Sequence, residues 1–401
     1  MPWAIGVHVL SLQFVVLTVS ACLARNRHLS PPHGLHECST WQVTGSSPRP
    51  VHESWTHAPY CVGTGNGGGS MCVFTNTEFN SGRGIAIIGQ PAIVETLVNE
   101  GLLQTAAPET GSSSSPTKYT ETERPGSGIG LYVKSSQSYK AGEIIMREYP
   151  TLIVASGTSD SIQPQVLEML RWKALLQLPR TTRQGIRALA QSHVMHKDEI
   201  EDILDSNAFT HEKGGAVYDL IFPEAARMNH NCIPNAVTRT NHTTLAMEVI
   251  ALRDILSGEE IAHSYLDPSI ELSFGERAKR LGSGWAFQCK CALCSGGRTR
   301  LERSDKRRKK ISHTKALLET AKGDPGKILD HVQTLLNLYT EEGMILPKAD
   351  YYALAAHACM YLGEKKKARR YSRMAKQLWD VIFGEGSRES ESMIEFENNL
   401  G

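Results

Sequence analysis

No charge of one sign dominates this chain: 43 Lys and Arg stand against 42 Asp and Glu, a formal +1 over 401 residues. A protein held to nucleic acid mainly by bulk charge carries a clear basic excess, so nucleic acid is not expected as the primary partner. Beyond the first 24 residues no apolar run is long enough to cross a bilayer. That excludes a multi-pass membrane protein and leaves no expected transmembrane span in the mature chain. Cysteine is sparse, nine residues placed unevenly, which excludes a small disulfide scaffold. What is present, 40% hydrophobic residues, is enough for roughly two or three ordinary cores.

The chain changes texture along its length. Residues 4–18 (AIGVHVLSLQFVVLT) are apolar and are followed by small residues around Ser20, Ala21 and Ala24. Residues 1–24 therefore read as a signal peptide lacking its basic start, or as a misplaced start codon or short buried strand. The region 25–110 has no assignable fold. Its first part is rich in His, Pro, Ser and Gly, while MCVFTNTEF and GRGIAIIG further on read as strands. A Ser/Thr/Glu-rich stretch, 111–127, reads as a flexible linker.

From Gly128, GIGLYVKSSQ, a turn at Lys140-Ala141-Gly142-Glu143, and EIIMREYPTLIVAS read as a hairpin-rich β unit. Apolar spacing then predicts helices over about 161–206. β texture returns after Asn229 through TTLAMEVIALRDI and a Ser257-Gly258 turn into EEIAHSYLD. Residues 298–310 (RTRLERSDKRRKK) carry eight basic against two acidic side chains. They read as a solvated basic linker, or as a nuclear-localisation or nucleic-acid contact. Residues 311–401 are predicted helical, with a helix pair broken at Gly363 that is either tetratricopeptide-like or a helical cap. The fold class is α+β.

The sulfur pattern is the first chemical signal. Cys289, Cys291 and Cys294 form C-x-C-x-x-C, too close in sequence to pair comfortably with one another. Three thiolates suit a tetrahedral Zn²⁺ that lacks one ligand, and Cys232 in NHNCIPN is the candidate fourth. The alternative is free buried thiols acting as small hydrophobes. Cys38, Cys61 and Cys72 can supply one disulfide with a thiol left over, or none. The loop Asn229–Asn235 is polar and turn-forming, able to offer amide and backbone groups to a ligand.

In company, these segments resemble the SET-domain protein lysine methyltransferases. GIGLYVKSSQSYKAGEIIMREYP is similar to the family's opening hairpin, RMNHNCIPNA to its N-H-S-C-x-P-N signature, GEEIAHSYLD to its G-E-E-I-x-x-x-Y, and CKCALC to the cysteine cluster that follows. The order and separations match over about 128–294. Closest in arrangement are SET–MYND-like proteins, and SET proteins of filamentous fungi look similar. There are departures: no cysteine occurs in 156–206, so a MYND finger is absent there, and Asn231 stands where the signature has Ser.

The resemblance implies a SET domain over 128–267, a post-SET zinc segment over 268–297, S-adenosylmethionine as cofactor and a lysine-containing protein as substrate. It assigns Gly128, Ile129, Gly130, Leu131, Asn229 and His230 to the cofactor, together with Asn207 and Phe287. It makes Tyr265 the catalytic residue, and Cys232, Cys289, Cys291 and Cys294 the ligands of structural Zn²⁺. A catalytically idle SET fold acting as a peptide-binding module is the alternative. A signal peptide implies the secretory route, whereas this cofactor, the thiolate site and the basic run imply cytosol or nucleus.

Overall fold

β-branched and aliphatic runs between glycine turns build the strands, here in chain order: β1 (Tyr60–Gly63), β2 (Ser70–Asn76), β3 (Ile85–Gly89), β4 (Tyr119–Arg124), β5 (Gly128–Val133), β6 (Ile144–Glu148), β7 (Leu152–Ser156), β8 (Phe209–Lys213), β9 (Ala216–Ile221), β10 (Asn229–His230), β11 (Ala236–Thr240), β12 (Met247–Ala251) and β13 (Glu260–His263). The computed structural model describes residues 54–400 apart from 64–68, 105–116, 125–127, 157–161, 194–197, 268–269 and 322. The signal-like segment, Cys22 and Cys38 lie outside the described residues.

Among the described residues three sheets form, ordered β1-β2-β3-β7-β9-β8, β10-β13-β5-β4 and β11-β12-β6. The first is covered on both faces. Along β2 and β3, Cys72, Phe74, Ile85 and Ile87 enter one core. Their alternates Met71, Val73, Ala86 and Ile88 enter another, which holds Leu170, Leu175, Ile186 and Ile203. This is the two-residue period of a strand, with helices closing one side. Those helices are α3 (Pro164–Gln177), α4 (Arg180–Arg187) and α5 (Glu199–Asn207), which follow a short irregular turn, α1 (Phe79–Gly82), and α2 (Pro91–Asn99).

The remaining helices are α6 (Phe274–Trp285), α7 (Gly297–Thr320), α8 (Pro325–Glu342), α9 (Lys348–Tyr361), α10 (Lys365–Phe383) and α11 (Arg388–Asn399). Their ends follow from sequence. Asp324 caps α8 by accepting from Lys327 N at 3.1 Å, with Pro325 at its first position. Gly343 and Gly363 terminate helices at φ 75°, a conformation that suits glycine. Arg239 on β11 ties the helices to the sheets: its guanidinium pairs with Glu248 and donates to Asp380 O at 2.7 Å.

Four expectations change. The region before residue 110 is not separate, because β3 pairs parallel with β7, Ile87 opposite Ile153. The stretch expected as a linker over 111–127 contains β4, which forms the sheet edge beside β5. The opening hairpin is not a hairpin: β5 pairs with β4 and β13, whereas β6 pairs with β12. The Lys140–Glu143 turn does form, with Gly142 at φ 83°, but it carries the chain into a different sheet. Residues 298–310 are not a linker but part of α7, held by burial of Ser304, Arg308, Ile311 and Thr314 along one face. The tetratricopeptide expectation rests on the α9–α10 pair alone. Cys61 and Cys72 face each other across β1 and β2 and are disulfide-bonded.

Candidate functional site

The site grows from a parallel crossing. β10 is only two residues long and lies against β13, with Asn229 opposite Ala262 and His230 opposite His263. Asn235 locks this crossing: its Nδ2 donates to Glu260 O at 2.7 Å and its Oδ1 accepts from Ala262 N at 2.9 Å. Asn231 Oδ1 accepts from Ile233 N at 2.9 Å and closes the turn between them. Its backbone N–H donates to His263 O at 2.8 Å. Asparagine in place of serine thus supplies the same acceptor for a tight turn.

β5 joins on the other side of β13. Asn229 Nδ2 donates to Ile129 O at 3.2 Å and to Glu260 Oε1 at 2.7 Å. A Cβ at position 130 would lie 2.6 Å from Glu260 Oε1 and 2.7 Å from Asn229 Nδ2. Glycine is therefore required here by the Asn229–Glu260 pair itself, rather than by a ligand. Gly128 is different: its φ of 70° favours glycine, and the space beside it is open. Ile129 is 43% exposed, whereas Leu131 turns into the core. Both residues pair with β4, Gly128 opposite Arg124 and Ile129 opposite Glu123, so it is the left-handed turn into the strand and the exposed Ile129 side chain that are open to a ligand.

Tyr265 follows β13 directly. Its backbone N–H donates to His230 Nδ1 at 3.0 Å and its Oη donates to Met228 O at 2.9 Å. Burial, and secondarily the Glu260 carboxylate, holds the phenol well above its usual range. The acceptor role fixes the His230 tautomer, leaving Nε2 to face Cys232 Sγ at 3.3 Å. Burial pushes His230 down to about 4 and His263 down to about 3, so both imidazoles are neutral at physiological pH.

Aromatic rings enclose the phenol. His263, Trp285, His230 and Phe287 have ring centroids 5.1, 5.2, 5.4 and 6.1 Å from that of Tyr265. Trp285 Nε1 donates to Ser206 O at 3.1 Å, which ties this wall to the end of α5. Asn207 lies at that same end, but its Nδ2 donates to Ala190 O and Ile203 O at 2.7 and 2.8 Å. Its amide donors serve the α5 terminus. Sequence reasoning did not single out Trp285 or His263 for the site; the W-x-F-x-C spacing ahead of Cys289 was the signal for Trp285.

The four sulfurs meet. Cys232, Cys289, Cys291 and Cys294 have Sγ atoms all within 4.8 Å of one another, and Cys232 lies 3.8 Å from Cys289 and 3.5 Å from Cys294. A tetrahedron with Zn–S bonds of about 2.3 Å has edges of about 3.8 Å. The donor set and the spacing fit zinc. The bonds among the four sulfurs push the Cys291 thiol down and the Cys232 thiol up.

Residues 130–266 match the SET domain family. The chain is 28% identical over 284 residues to histone-lysine N-methyltransferase set5 of Schizosaccharomyces pombe, covering 69% of this chain and 82% of that protein. It is 30% identical over 154 residues to protein-lysine N-trimethyltransferase SMYD5 of Gallus gallus, covering 32% of this chain and 36% of that one. It is 41% identical over 75 residues to N-lysine methyltransferase SMYD2 of Homo sapiens, covering 19% of this chain and 16% of that one.

Proposed function

We propose that this SET-domain protein lysine methyltransferase takes its methyl group from S-adenosylmethionine and places it on the side-chain amine of a lysine in a protein substrate. The observation that carries the reading is the meeting of β5, β10 and Tyr265: Asn229 reaches the Ile129 carbonyl while Tyr265 N–H is held by His230. When bound, the donor supplies a methyl group on a sulfonium, which a neutral amine takes by in-line displacement. The open space beside Gly128, the exposed Ile129, the Asn229–His230 strand and the Phe287 ring are the groups that would hold it.

The chain's own work is to position and to exclude water. Tyr265 stays a neutral phenol, so it aligns rather than deprotonates, and alignment supplies much of the rate in a displacement. Bringing a lysine of pKa about 10.4 to its neutral form at pH 7 costs roughly 4–5 kcal/mol. A dry surround of Tyr265, Trp285, His263 and His230 lowers that cost by disfavouring ammonium. Neutral imidazoles at 230 and 263 add no positive charge to repel a sulfonium. Cys232, Cys289, Cys291 and Cys294 would hold zinc with no open position, so its role would be structural, fastening the segment after Trp285 beside His230.

The test is calorimetric titration of zinc-loaded full-length chain with S-adenosylmethionine, followed by transfer of labelled methyl to lysine-containing protein and mass-spectrometric location of the label. Binding and lysine labelling are expected. Folded, zinc-loaded protein that binds no donor would overturn the proposal.

A further inference from the structure

α6 leads straight into the thiolate segment. It begins with a capping box in which Ser273 N donates to Glu276 Oε2 at 2.8 Å while the Ser273 hydroxyl accepts from Glu276 N. On its buried face lies Arg277, only 2% exposed. One of its nitrogens, Nη1, donates to Leu272 O at 2.7 Å. The other two, Nε and Nη2, are buried and meet no oxygen or nitrogen acceptor among the described residues. A guanidinium cannot shed its proton to escape this situation. It lines one cleft with Cys232 and His230, and the sulfurs of Cys232 and Cys294 lie close enough to hold its charge.

Arg308 lines the same cleft as Arg277, Cys232 and Gly343. It is already paired with Glu342 through Nε at 2.8 Å, so its charge is answered from α8. Among the described residues Arg277 has no such carboxylate. A buried cation left without an anion is costly, and neutral thiols supply none. Four thiolates around one divalent ion, by contrast, carry a net charge of minus two. The uncompensated cation and the over-compensated metal site adjoin one another.

We infer that Arg277 is the charge partner of the zinc–thiolate cage, giving N–H···S bonds to Cys232 and Cys294 and stabilising the metal-bound form. It is a positioning residue, acting on the wall of the site through the sulfurs. The His230 Nε2 contact to Cys232 adds a second, neutral donor on the same sulfur. The inference rests on the zinc reading given above.

The experiment uses full-length chain. Metal analysis of the unaltered protein comes first: one zinc per chain is expected, and none would sink the zinc reading itself. Zinc affinity is then measured by competition with a chelator for unaltered protein, Arg277→Met and Arg277→Lys. Arg277→Met is expected to bind zinc about 10–100-fold more weakly, the usual size of an outer-shell loss, and Arg277→Lys to recover most of it. Unaltered affinity in Arg277→Met would overturn the inference while leaving the zinc reading intact. Should the Met variant not fold, cobalt-substituted unaltered and Arg277→Lys proteins decide. One ammonium cannot serve two sulfurs as a fork does, so the sulfur-to-cobalt absorption should shift; an unmoved band would contradict the assignment.

Discussion

Two buried carboxylates, one in each part of the molecule, are satisfied in different ways. Glu342 at the end of α8 is bonded by Ser304 and paired with Arg307 and Arg308 of α7, both at 2.8 Å. Glu148 on β6 accepts instead from backbone: Glu224 N at 3.1 Å and Ala225 N at 2.8 Å. The first is a charge balanced between neighbouring helices, and it steadies a stack in which each of α7 to α11 packs on the next. The second shapes the turn at Ala225–Arg227 that delivers Asn229 and His230. The helical part is held by local packing, whereas the β-rich part brings distant segments to one point and carries a poorly compensated acid to do so.

The largest effect should come from breaking the assembly of distant segments. Cys232→Ser removes a zinc ligand and the anchor of the Trp285–Cys294 segment, so zinc content by metal analysis should collapse and methyl transfer should fall at least about 100-fold, as for a site displaced by an ångström. Next, Glu342→Ala leaves the buried Arg308 and the half-buried Arg307 unpaired, and chemical denaturation should show a loss of about 3–5 kcal/mol. Donor binding at low denaturant should stay near normal, because Glu342 touches nothing in the site.

A smaller effect separates the two acids by pH. Burial raises Glu148 to about 7. The folded chain then holds a proton that the unfolded chain has lost, and stability falls as pH rises from about 4.3 through 7 by up to about 3 kcal/mol. Glu148→Gln keeps an acceptor for Ala225 N and removes the charge. Its stability should be less pH-dependent over that window and should exceed that of the unaltered chain at pH 8. A denaturation series showing equal slopes for both proteins would contradict this.

Much of the site was legible because its chemistry repeats in short words. N-H-x-C-x-P-N, the Tyr265 strand end and C-x-C-x-x-C each have local order, and a fourth thiolate was demanded by the three in a row. The α+β class and the helical insert also followed from alternating and 3.6-residue spacing. What was not legible depends on partners far away. The pairing of β3 with β7 joins residues more than sixty positions apart, and nothing in GRGIAIIG names its neighbour. The basic run at 298–310 looks like a solvated linker because its helix-forming partner, Glu342, lies 34 residues beyond Arg308. Gly130 was assigned to the cofactor by resemblance, when the Asn229–Glu260 pair already fills the place of its missing Cβ.

Methyl transfer here depends on the phenol of Tyr265 as a neutral aligning group at the end of β13. The direct measurement is methyl transfer by zinc-loaded Tyr265→Phe alongside its affinity for S-adenosylmethionine. Transfer should drop about 100-fold or more with donor affinity within a few-fold of normal, since the backbone N–H to His230 remains. A Phe variant that transfers methyl groups at the unaltered rate would contradict the account.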